Sequence, residues 1–109
     1  MTQHAFAFEP LGGGRFTLRG AVNFATARAV LEQSAALFRN VPVIKVDLSG
    51  VTETDSAGLA LLIEWVSWAR QAQREMRFFE IPKQIRAIAR ISEVEDLLRA
   101  GERLTEARP

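Results

Sequence analysis

The chain has 109 residues, 48% of them hydrophobic, and carries 14 Lys plus Arg against 13 Asp plus Glu, a net charge of +1. That length makes one domain, and near-neutral charge removes the basic excess that a nucleic-acid-binding face requires. Cysteine is absent and His4 is the single histidine, which excludes disulfides, thiolate chemistry, a His-centred triad and a multi-histidine metal site.

No apolar run approaches the ~20 residues of a membrane span, and the N-terminus has no basic start followed by an apolar stretch, so it reads as no signal peptide. Residues 1–4 and 102–109 read as loose tails of a single domain. Ala5–Glu9 and Arg15–Arg19, rich in Phe, Thr and Leu, predict a hairpin around Gly12-Gly13-Gly14. Those glycines are no phosphate cradle, because no Lys-Ser/Thr follows and no helix opens there.

Apolar spacings of three and four predict a helix from Ala25 to Arg39, with Asn23 as N-cap and Asn40 and Pro42 as stops. Val43–Leu48 reads as a central strand and Ser49–Asp55 as a loop. A long helix from Ser56 to Gln73 follows, then a strand at Met76–Glu80. Pro82 opens a helix bearing Ile85, Ile88, Ala89 and Ile91. A last short helix holds Val94, Leu97 and Leu98. The order is β-β-α-β-α-β-α, an α/β domain with a small mixed sheet covered by helices.

The start of the long helix is the most informative stretch. Free N–H groups there donate either to a capping side chain or to an external anion, so Asp55 and Ser56 read first as caps, the commoner role, and as a contact point only with support from the rest of the helix. Gly58 is a poor helix former whose missing side chain allows close approach by another backbone or a partner. At roughly 100° per residue, Leu59, Leu62, Ile63 and Val66 form one apolar stripe. Leu61, Trp65, Trp68 and Ala72 form a second, centred about 140° away. The expectation is that this second stripe faces water in the free domain and is covered by a partner, unless a neighbouring helix covers it. Catalysis is not indicated. A serine nucleophile at Ser56 has no base across a cleft, and nothing in the spacing of Asp47, Glu53, Asp55 and Glu64 requires a carboxylate site.

Val46-Asp47-Leu48-Ser49-Gly50-Val51, followed by Asp55-Ser56-Ala57-Gly58-Leu59, resembles the signature of STAS domains. These are shared by sulfate transporters and anti-sigma factor antagonists. The resemblance covers nearly the whole chain and implies the SpoIIAA-like fold with no cofactor and no catalytic residue. It implies two kinds of partner. In antagonists the residue at Ser56 is phosphorylated by an anti-sigma factor kinase. In MlaB-like subunits the domain sits, in the cytoplasm, on the ATPase subunit (MlaF-like) of a phospholipid ABC transporter and its permease complex.

Gly58-Leu59-Ala60-Leu61-Leu62 is closer to the second group, and Gly20-Ala21-Val22-Asn23 lacks the acidic residues antagonists carry there. The compact chain, ending soon after its last helix, fits a stand-alone subunit. The expected contact residues are Asp55, Ser56, Ala57, Gly58, Leu61, Trp65 and Trp68, with Arg70 and Arg74 as a polar rim. Ser56 is the expected phosphorylation position if the antagonist reading holds.

Overall fold

The computed structural model describes residues 5–92, and the expected tails at 1–4 and 102–109 and the helix with Val94, Leu97 and Leu98 lie outside them. In chain order the elements are β1 (Phe6–Gly12), β2 (Arg15–Val22), α1 (Ala27–Leu37), β3 (Val43–Thr54), α2 (Ser56–Gln71), β4 (Glu75–Phe79) and α3 (Lys83–Ile91). The β-β-α-β-α-β-α order expected from the sequence is the observed one. The strands lie side by side as β1-β2-β3-β4, β1–β2 antiparallel and the other two pairs parallel. Parallel neighbours need a crossover, and α1 and α2 are those crossovers.

The strand period of two decides the layers. Ile44, Val46 and Leu48 of β3 are buried while Lys45 and Asp47 between them are partly exposed. Phe6, Phe8, Phe16, Leu18, Met76 and Phe78 complete the buried sheet face. Phe8, Phe16 and Phe38 pack edge-on, with ring centroids 5.1–6.1 Å apart. All three turn glycines of the hairpin have positive φ, from 65° to 91°, which makes this a left-handed turn that side chains disfavour.

Two local expectations are corrected. The segment 49–54 is strand, not loop: β2 runs on to Val22 and pairs Arg19 with Gly50, Gly20 with Val51, Ala21 with Glu53 and Val22 with Thr54. Val51, Thr52 and Thr54 are β-branched and suit that pairing. Helix α1 begins at Ala27 with Thr26 at the cap, not Asn23. Asn23 closes the preceding turn instead, its carbonyl accepting from Thr26 and Ala27 N–H and its Oδ1 from Ala25 N–H. Beyond the C-cap Phe38, Asn40 turns the chain away with φ 62°, a left-handed value asparagine tolerates.

Candidate docking site at the start of helix α2

Asp55 is the N-cap of α2. Its Oδ1 accepts the Ala57 N–H at 2.9 Å and its Oδ2 accepts the Phe24 N–H at 3.1 Å. One carboxylate therefore closes the first turn of α2 and ties the β2–α1 loop to it. Glu53 adds a second tie, accepting from Asn23 Nδ2 at 3.3 Å. Because Asp55 does the capping, the hydroxyl of Ser56 is left free: Ser56 is exposed, and its side chain has no hydrogen-bond partner among the described residues.

Gly58 is buried, and what approaches it belongs to this chain. A Cβ there would collide with Thr54 Oγ1 and lie 2.8 Å from the Val22 carbonyl oxygen. Thr54 donates to that same carbonyl at 2.8 Å, so the first turn of α2 rests on a buried hydrogen bond joining β3 to β2. Of the two neighbours the sequence allowed at Gly58, another backbone or a partner, the first is observed, in the Val22 carbonyl.

Most of the second apolar stripe of α2 is also covered internally, and only Ala72 at its end is exposed. Leu61 is 4% and Trp65 1% exposed, and Trp68 is partly buried. The cover is α1, which runs alongside with its N-terminus at the same end. Ala27 and Arg28 lie opposite Ala57, and Ser34 and Phe38 opposite Trp65 and Trp68. The helix is apolar on two sides, as the spacing predicts, but the expectation that Leu61 and Trp65 face water does not hold. Arg74 is likewise engaged within the chain. It donates to the Phe38 carbonyl at 2.8 Å and its guanidinium lies 5.4 Å from the Trp68 ring centre. Arg70 is exposed at the end of α2.

Two surface features escape the sequence reading. Phe24 is 86% exposed, and its backbone N–H is tied to Asp55, the residue before Ser56. An aromatic residue between a strand end and a helix start, outside both periodic patterns, is the signal that could have flagged it. The second feature is an open groove of about 520 Å³ between α1 and α2. Leu31, 38% exposed, and Leu61 supply its apolar lining, and the short side chains of Ala27, Ala57 and Ala60 leave it room. Leu31 and Glu64 also line a second hollow of about 320 Å³ that leads to Trp68.

Among the described residues, no three His, Cys, Asp or Glu side chains are grouped to hold a metal, and no helix is long and apolar enough to cross a membrane. The start of α2 thus offers an unengaged hydroxyl at Ser56, an exposed aromatic residue whose backbone is tied to Asp55, and an apolar groove that begins at Ala57, all suited to protein contact.

A family model described as "Mlab, STAS domain" matches residues 10–99. The chain belongs to the STAS domain family. Domains of this family are typically regulatory or adaptor modules, a role that points to protein–protein contacts. Among solved structures, the anti-sigma factor antagonist SpoIIAA in its unphosphorylated form is similar, with a TM-score of 0.65 and 16% identity over 96% of this chain and 100% of the other. At that identity the likeness is one of fold. A comparison with curated protein sequences returns no match.

Proposed function

We propose that this STAS domain is a non-enzymatic adaptor that docks on the ATPase subunit of a phospholipid ABC transporter, at the cytoplasmic side of the inner membrane, and supports assembly and activity of the complex. The observation that carries the reading is that the start of α2 bears a free Ser56 hydroxyl, that the backbone of the exposed Phe24 is tied to the preceding Asp55, and that an open α1–α2 groove begins at the following Ala57. The MlaB description of the matching family and the absence of acidic residues at Gly20-Ala21-Val22-Asn23 favour this partner. The docking face consists of Asp55, Ser56, Ala57 and Phe24. Trp68 contributes at its edge, and Gly58, Leu61 and Trp65 support the face from beneath.

The test is reconstitution with the purified ATPase subunit and permease. Addition of the wild-type domain is expected to raise ATP hydrolysis. Phe24→Ala is expected to weaken docking at least tenfold, as truncation of an aromatic anchor does. Absence of binding by the wild type would overturn the reading.

A second reading, a phospho-regulated anti-sigma factor antagonist, is favoured by the same exposed Ser56 at a helix start, where added phosphate is tolerated. It requires a co-purifying ATP-binding kinase and phosphate on Ser56, which mass spectrometry of the protein from its own cells detects.

A further inference from the structure

The groove between α1 and α2 carries charge as well as apolar surface. Glu32 stands on its α1 wall and Glu64 on its α2 wall. Both are exposed, and neither has an ion-pair partner among the described residues. Arg28 lines the same groove one turn nearer Ser56, and it too is unpaired. The floor between these charges is Leu31 and Leu61. From Ala27 to Glu32 on α1 and from Ala57 to Glu64 on α2 the walls run about 8–11 Å at 1.5 Å per residue, room for about two turns of helix.

We propose that this groove seats an amphipathic helix of the partner, its apolar side chain on Leu31 and Leu61 and a lysine or arginine between Glu32 and Glu64. The inference rests on the ATPase partner proposed above and states the chemistry of the segment that partner must supply. Two parallel helices with an apolar trough between them form a receptor for a third helix. Two carboxylates on opposite walls of that trough outnumber its one arginine, with which neither forms an ion pair, so the trough is complementary to one basic side chain. Arg28 sets the direction: the occupant's acidic residue, or the negative end of its helix dipole, lies toward Ser56. Charges at such a rim govern association rate and salt dependence more than depth of binding.

The test measures binding of the purified ATPase subunit at low and high salt. It uses the wild type, the double variant Glu32→Lys/Glu64→Lys, its conservative counterpart Glu32→Gln/Glu64→Gln, and Phe24→Ala. Circular dichroism checks each fold. The expected result is at least a tenfold loss of affinity for the lysine pair and a smaller loss for the glutamine pair, with flattened salt dependence in both. Cross-links are expected from a basic partner helix to the groove. Wild-type affinity and salt dependence in both double variants, with binding lost in Phe24→Ala, would overturn the groove assignment and leave the adaptor reading standing. A wild-type domain that fails to bind the ATPase subunit overturns both.

Discussion

The indole N–H of Trp65 donates to Ser34 Oγ at 3.0 Å, and the Ser34 hydroxyl in turn donates to the Leu31 carbonyl at 2.6 Å. This chain of two hydrogen bonds, sealed at the α1–α2 contact, allows a tryptophan with a polar N–H to lie 1% exposed against Phe8 and Phe38. It also explains a serine in the buried stripe of α1, where an apolar residue would leave the indole donor unsatisfied.

Ser34→Ala is therefore expected to destabilise the domain by about 1–3 kcal/mol, the cost of leaving a buried donor without an acceptor. Urea unfolding followed by tryptophan fluorescence measures it. A stability equal to wild type would mean that Trp65 finds another acceptor.

Trp65→Ala and Trp68→Ala are expected to differ sharply. The first empties the centre of an aromatic cluster and is expected to lose about 3–5 kcal/mol, enough to compromise a small domain. The second removes a partly buried ring from the helix edge, and its cost is expected to be below that of the first. Equal losses would place both rings in equivalent environments, against the exposures observed.

Gly58→Ala is expected to cost about 1–3 kcal/mol, although alanine is the better helix former, because its Cβ has no room above Thr54 and Val22. Combining it with Thr54→Ala removes the nearest obstruction. The two changes should then be less than additive in a double-mutant cycle. Strict additivity would show that Gly58 and Thr54 do not compete for the same space.

Asp55→Ala is expected to cost about 1–2 kcal/mol, as loss of a helix cap does, and to speed amide exchange at both Phe24 and Ala57. Asp55→Asn keeps one accepting oxygen and is expected to fall between. Exchange faster at Ala57 alone would show that the loop carrying Phe24 is held by something else.

Ser56→Asp separates fold from function. An added carboxylate on an exposed first-turn residue meets the positive end of α2, so stability is expected to hold or rise by about 0.3–1 kcal/mol. Binding to the ATPase subunit is expected to fall, because a charge enters a contact that loses water. A destabilised Ser56→Asp domain would instead place the side chain against the protein.

Much of the architecture was legible in the sequence. Apolar spacing marked the helices and β-rich composition the strands, in the observed order, while the structure decided that Ile44, Val46 and Leu48 form the inner face of β3. Boundaries were less legible. Residues 49–54 are too polar to advertise a strand, and they become one because β2 extends far enough to pair with them. The cap at α1 moved from Asn23 to Thr26 because Thr26 Oγ1 reaches the buried Ala21 carbonyl at 2.9 Å, a contact fixed by the preceding strand.

At the candidate site the division is sharper. Residue spacing alone determined that α2 is apolar on two sides and that Asp55 and Ser56 open it, because angular position on a helix depends only on order along the chain. Which apolar side meets water depends on what else packs there, and that is a property of neighbours distant in sequence. Only the folded chain brings α1 over Leu61 and Trp65, turns Phe24 outward on the Asp55 carboxylate, and leaves a groove with Glu32 and Glu64 on opposite walls.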